Sequence, residues 1–226
     1  MALFRGEHMK TPELPFKKLP VLVDSDAGVT VAESTSILRY VGQLEAGMAW
    51  YGGKTLKEKT KIDEFLDNWQ SSLHPNTVKL LQNQLMYKVR IFFNLTPGSV
   101  PPVEETETNC NYETLLKELL FQMVFRLKEP NKKLVDEAMK AHKNHKKALS
   151  DYFLGSHKFI GGDQASIADI LMVMTLHQTS VAGADNSDFT DYIDRVREAS
   201  DTAAFDELEQ NVKSIPDILR SMKMIA

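Results

Sequence analysis

Two short apolar runs stand at the head of the readable pattern. Val21-Leu22-Val23 follows Leu19-Pro20, and Val29-Thr30-Val31 follows Asp24-Ser25-Asp26-Ala27-Gly28. Proline is tolerated at the first residue of a strand, where a ladder donor can be spared. The Asp/Ser/Gly cluster between the runs carries turn chemistry, so the pair predicts a β-hairpin. At Glu33-Ser34 the period changes. Ile37, Leu38, Val41 and Leu44 recur at helical spacing, with Ser34 expected as the N-cap. A helix start offers unpaired backbone N–H groups and a positive dipole end, which suits a ligand carboxylate. A strand beginning at X-Pro beside it suits a small extended peptide.

Residues 42–54 turn polar and glycine-rich and read as a linker. Beyond them the pattern is helical throughout. Residues 55–73 set Ile62, Phe65, Leu66 and Trp69 on one face, and residues 78–93 are more apolar, with Leu80, Leu81, Leu85, Val89 and Phe92. Residues 94–111 read as a loop with Pro97, Pro101, Pro102 and an acidic run, and residues 112–128 as a further helix. Residues 131–154 predict a long amphipathic helix with a lysine-rich outer face. Ser166 and Asp169 stand at capping-box spacing, and the helix after them is apolar nearly all round, as a helix inside a bundle must be. The expected class is α+β: a small strand-bearing unit in residues 1–44, a linker over 45–54, and an all-helical unit over 55–226.

Composition narrows this only a little. The 226 residues are 42% hydrophobic and 26% charged with a net charge of -4, which gives no global attraction to nucleic acid or to an anionic membrane. No stretch approaches the roughly 20 apolar residues of a membrane span. The single cysteine, Cys110, excludes an internal disulfide framework. MALFRGEHMK has no signal-peptide apolar core, so a reducing cytoplasm is the expected compartment.

Three separated groups of residues carry a resemblance: Gly6-Glu7-His8, then Lys17-Lys18-Leu19-Pro20-Val21-Leu22, then Glu33-Ser34 with Ile37-Leu38-Arg39-Tyr40. In this order they resemble the cytosolic glutathione S-transferases, the theta class most closely. A second match is Phe159-Ile160-Gly161-Gly162-Asp163-Gln164-Ala165-Ser166-Ile167-Ala168-Asp169, and Arg195-Val196-Arg197-Glu198-Ala199 resembles the carboxyl-terminal helices of that class. The resemblance implies a thioredoxin-like glutathione-binding domain in residues 1–44, followed by an all-α carboxyl-terminal domain. It implies glutathione as co-substrate, a small electrophilic substrate, a homodimer and no metal. In that family the residue before the proline pairs its backbone with the cysteinyl part of glutathione, and the Glu-Ser pair holds the γ-glutamyl end. Carried over, those roles fall to Leu19 of Leu19-Pro20 and to Glu33 and Ser34. His8 and Lys18 take the glycyl carboxylate, with Lys17 the alternative if the register shifts by one.

The family's activating serine or tyrosine stands on a first strand and helix. Here the matching residues begin near the second strand, and residues 1–24 contain no Ser, Tyr or Cys. The expectation is therefore a truncated glutathione domain lacking that strand and helix, with the catalytic residue unassigned. Two functions follow: conjugation of the glutathione thiolate to small electrophiles, or a catalytically impaired binding or scaffold protein of the same descent. Other candidate chemistry is weaker. Cys110 lies in a polar loop and reads as an incidental thiol. His142 and His145 sit three apart on a helix, but no carboxylate or cysteine completes a ligand set.

Overall fold

A computed structural model describes residues 20–44, 48–51, 55–86 and 131–221. The expectations for His8, Lys18, Leu19, Cys110, the loop at 94–111 and the helix at 112–128 lie outside these residues. The hairpin forms as the pattern requires. Strand β1 (Val21–Asp24) pairs antiparallel with β2 (Val29–Ala32), Val21 opposite Ala32 and Asp24 opposite Val29. Asp24 Oδ1 accepts from the backbone N–H groups of Asp26 at 3.1 Å and Ala27 at 2.9 Å. This Asx turn is closed by Gly28 at φ 66°, a conformation that favours glycine.

Helix α1 (Ser34–Gln43) leaves β2 directly. Within the glycine-rich stretch, a single turn, α2 (Met48–Tyr51), brings Tyr51 into the core, where its hydroxyl donates to Asp63 Oδ1 at 3.0 Å. Helix α3 (Leu56–Asn68) opens with a capping box: Thr55 Oγ1 accepts from Glu58 N–H and the Glu58 carboxylate accepts from Thr55 N–H. The two helical patterns at 55–73 and 78–93 are joined, over the described residues, into one course. A π-type turn (Trp69–Leu73) leads straight into α4 (His74–Leu80) and a second (Leu81–Met86) follows. The reason is Pro75. Its ring and missing N–H break an α ladder, and the wide turn ahead of it lets the helix continue instead of stopping.

The remaining elements are α5 (Lys132–Ala148), running into a third wide turn (Leu149–Leu154), α6 (Ile167–Val181), α7 (Thr190–Ala199), α8 (Thr202–Lys213) and α9 (Ile215–Ser221). Gly155 at φ 55° ends the α5 course. Among the described residues no strand follows Ala32. Helix α6 is the axis of the core, burying Ala168, Met172, Val173 and Leu176 against Leu66, Trp69, Phe153 and Val196. Trp69 Nε1 donates to Thr175 Oγ1 of α6 at 2.9 Å, and Phe65 meets Phe153 edge to face at 5.2 Å. Buried aromatic rings placed this way hold the two helical courses in one register.

His142 and His145 do not converge. His142 Nε2 lies 2.8 Å from Asn186 Oδ1, whereas His145 Nε2 lies 2.9 Å from Ser72 Oγ. No group of three or more ligating side chains that could hold a metal ion occurs among the described residues. His142 is 4% exposed, and burial holds its imidazole below the ordinary histidine value. The folded chain thus binds fewer protons there than the unfolded chain. The stability this contributes is present above pH of about 6.5 and is lost as pH falls through the lower folded value. His142→Gln is expected to show a shallower fall in thermal midpoint than the parent between pH 7 and pH 5. Parallel slopes in the two proteins would contradict it.

Candidate functional site

The resemblance directs attention to the junction of the hairpin with α1. The register Val21↔Ala32 sets Pro20, one residue before β1, beside Glu33, one residue after β2. Paired strands run about 4.8 Å apart. Pro20, Glu33 and Ser34, separated by up to 14 positions in sequence, therefore gather at one end of the hairpin. Pro20 and Glu33 are both exposed. His8, Lys18 and Leu19 are outside the described residues.

The expected N-cap is corrected by one position. Glu33, not Ser34, occupies the cap, and Ser34 is the first helical residue. Glu33 adopts φ 73° and ψ 129°, the single non-glycine positive φ among the described residues, and its side chain does not cap the helix. The physical reason is the connection itself. With no loop between Ala32 and α1, one residue must absorb the whole change from extended to helical backbone. Such a conformation costs on the order of 1–3 kcal/mol and persists where surrounding contacts impose it. Its consequence is an open helix end. The first intrahelical bond runs from Ile37 N–H to Glu33 C=O at 2.9 Å. The N–H groups of Ser34, Thr35 and Ser36 precede that ladder, and no acidic residue stands in the first turn.

Contacts across to the helical course supply the imposition. Gln70 Nε2 donates to Glu33 Oε2 at 2.6 Å, and Thr35 Oγ1, buried, donates to Gln70 Oε1 at 3.3 Å. One turn further along α1, Arg39 Nε donates to Asp63 Oδ1 at 2.8 Å and its Nη2 to Asp67 Oδ1 at 2.6 Å. On the other flank Tyr40 donates its hydroxyl hydrogen to Asp24 Oδ2 at 2.7 Å, tying α1 to the hairpin turn. The turn's two backbone N–H groups and this phenol hold the Asp24 carboxyl below the usual carboxylate range, the Ala27 N–H first. Asp63, Asp67 and Gln70 stand at i, i+4 and i+7, forming a polar stripe beside the core-facing stripe of α3. The reading from sequence passed over this stripe. Its period was visible, but its pairing with α1 was not.

Arg39 is the stoutest of these tethers, with one partly buried carboxylate contact, to Asp63, and one exposed, to Asp67. Arg39→Ala is expected to lower the unfolding free energy by about 1–2 kcal/mol, between an exposed ion pair and a charge-assisted buried one. Urea denaturation of parent and variant measures it, and coincident midpoints would rule it out.

An apolar hollow of about 270 Å³ lies further along α1, lined by Leu38, Val41, Trp50, Ile170, Phe205 and Leu208. At about 1.5 Å of rise per residue, Leu38 is roughly 6 Å along the axis from Ser34, so the hollow and the open helix end are separate features.

No known protein-family model matches the chain. Among curated proteins, glutathione S-transferase F10 of Arabidopsis thaliana is 34% identical over 85 residues, covering 36% of this chain and 39% of the relative. Glutathione S-transferase theta-1 of Gallus gallus is 24% identical over 170 residues, covering 75% of this chain and 51% of the relative. The chain thus spans about half the length, or less, of these curated relatives. Among solved structures, human glutathione S-transferase T1-1 in its apo form has a TM-score of 0.63 at 20% identity, covering 99% of this chain and 86% of that one. Human glutathione transferase theta-2, in complex with glutathione and an unknown ligand, has a TM-score of 0.64 at 21% identity, covering 99% and 79% respectively. The chain has the glutathione S-transferase fold, a thioredoxin-like unit followed by an all-helical one, and is similar to the theta class in both sequence and architecture.

Proposed function

We propose that the chain binds glutathione at the hairpin–α1 junction and conjugates its thiolate to small electrophiles. The observation that carries this reading is the open start of α1 beside Pro20 and Glu33. The γ-glutamyl end of glutathione bears a carboxylate and an ammonium group. The free N–H groups and the Ser34 hydroxyl suit the carboxylate, helped by the positive end of the helix dipole. The Glu33 carboxylate suits the ammonium. By family resemblance, the backbone of Leu19 pairs with the cysteinyl unit, and His8 and Lys18 meet the glycyl carboxylate. The theta-2 relative, described in complex with glutathione, supports the choice of ligand. Conjugation further requires a donor that favours the thiolate over the neutral thiol, because the thiolate is the nucleophile. That donor is unassigned. The same reading places the protein in the cytoplasm as a homodimer.

Titration calorimetry with reduced glutathione tests the site. Glu33→Ala/Ser34→Ala is expected to weaken binding at least about tenfold, or 1.4 kcal/mol, through lost charge-assisted contacts. Equal affinity in parent and double variant would place the ligand elsewhere. A conjugation assay with an aromatic electrophile then separates the two functions. Turnover that is lost with Glu33 and Ser34 supports a transferase, and binding without turnover supports the impaired binding protein.

A further inference from the structure

Gln70 belongs to the helical bundle, not to the hairpin unit, yet it touches the residue proposed to recognise the ligand. Its place is fixed from behind. The preceding residue, Trp69, is buried, donates to Thr175 of α6 at 2.9 Å and stacks on His74 with ring centres 4.5 Å apart. The wide turn Trp69–Leu73 therefore cannot rotate freely about the helix axis. From it the Gln70 side chain reaches across to α1.

The amide presents two different ends to two different groups. Its Oε1 accepts from the Thr35 hydroxyl at 3.3 Å, which orients the amide so that its Nε2 faces Glu33 Oε2 at 2.6 Å. The chemistry of this choice is informative. A lysine or arginine at position 70 would hold Glu33 equally well but would neutralise it. A glutamine fixes the carboxylate in space while leaving its full negative charge. With Oε2 engaged, Oε1 remains to meet a ligand cation. A neutral donor on a residue held at φ 73° gives a preorganised anion, set beside three free N–H groups that favour an anion.

We propose that Gln70 is a positioning residue for ligand recognition, aiming the Glu33 carboxylate at the ammonium group of the γ-glutamyl end. This rests on the glutathione reading above and adds to it the bundle residue through which the helical domain acts on the site. Thr35 assists by setting the amide's orientation.

The test is a double-mutant cycle with a chosen ligand pair. Reduced glutathione, and an analogue whose γ-glutamyl amino group is replaced by hydrogen, are titrated into the parent, Gln70→Ala, Glu33→Ala and Glu33→Ala/Gln70→Ala. Gln70→Ala is expected to weaken glutathione about fivefold to tenfold and to leave the deaminated analogue unchanged. In the Glu33→Ala background the same change is expected to have no further effect. Gln70→Glu, which sets a second carboxylate against Glu33, is expected to weaken glutathione more than Gln70→Ala does. Thermal unfolding of each variant shows that it is folded. The inference is overturned if Gln70→Ala binds glutathione like the parent, or if the loss is equal for both ligands or in both backgrounds, since that pattern means general loosening. Dependence on Glu33 and Ser34 without dependence on Gln70 leaves the glutathione reading intact and removes this one. Absence of glutathione binding by the parent removes both.

Discussion

Replacing Asp169 by Ala is expected to cost roughly 3–5 kcal/mol of stability, far more than the loss of one helix cap. The carboxylate is fully buried and accepts four hydrogen bonds. Its Oδ2 takes Ser166 N–H and Ser166 Oγ–H, each at 2.8 Å, and its Oδ1 takes Ile160 N–H and the Tyr192 hydroxyl, also at 2.8 Å. Ser166 Oγ in turn accepts from Ala168 N–H at 3.2 Å, completing the box that the Ser-x-x-Asp spacing predicted. A capping contact alone is worth about 1 kcal/mol. Removing Asp169 instead strands two backbone N–H groups and a buried phenol, each worth about 1–3 kcal/mol unsatisfied. Burial pushes the Asp169 carboxyl up to about 6, against the four donors that favour its ionised form. Ser166→Ala, which leaves Ile160 and Tyr192 satisfied, is expected to cost only about 1–2 kcal/mol. Urea midpoints of the two variants read out the difference. Equal losses would mean that Asp169 acts only as a cap.

Gly161→Ala is expected to be nearly as damaging, at roughly 3–4 kcal/mol, although it adds one methyl group. Phe159 and Gly162 exchange backbone hydrogen bonds at 3.0 and 3.2 Å, closing a tight turn with Gly161 at its corner. Gly161 has φ 90°, which side chains rarely adopt. A Cβ there would stand 2.9 Å from Ile62 Cγ1 and 3.0 Å from the Glu58 carbonyl oxygen of α3. The side chain of Ile62 is core and the carbonyl is backbone, so neither yields cheaply. Gly28, also at positive φ, makes the contrast. A Cβ there meets nothing within 4 Å, so Gly28→Ala carries the conformational cost without the clash. If thermal unfolding shows Gly161→Ala no less stable than Gly28→Ala, the close approach of the turn to α3 is not rigid.

These two predictions concern the same piece of architecture that the candidate site depends on. The turn at 159–162, the Asp169 network and the start of α6 are packed into a single knot, and α6 carries Thr175. Thr175 anchors Trp69, Trp69 precedes Gln70, and Gln70 holds Glu33. The Glu33 carboxylate, proposed above to meet the ligand, thus lies at the end of a chain of contacts that begins in the bundle core.

Local chemistry determined a good deal of this by itself. The hairpin was legible because Asp24 to Gly28 can make only a few kinds of turn, and apolar runs on both sides need pairing. The Ser166 box was legible because its partners lie three residues apart, and α6 because only a buried helix is apolar all round. Pro20, Glu33 and Ser34 were singled out through the family resemblance, and the register Val21↔Ala32 gathers them at one end of the hairpin. Other features needed the tertiary structure. Ser34 is a favourable cap residue in isolation, yet Glu33 takes the cap position without a side-chain cap bond, because the direct join from β2 to α1 demands one residue at positive φ. Pro75 suggests a helix end in isolation, yet the helix runs on, because burial of Trp69, Leu73 and Leu80 outweighs the wide turn's poorer hydrogen bonding. Gln70 is an unremarkable polar residue until α1 is packed beside it. Propensity and capping act over three or four residues and are written in adjacent letters. The Glu33 carboxylate accepts from a partner 37 positions away, which the letters name only once the chain has folded.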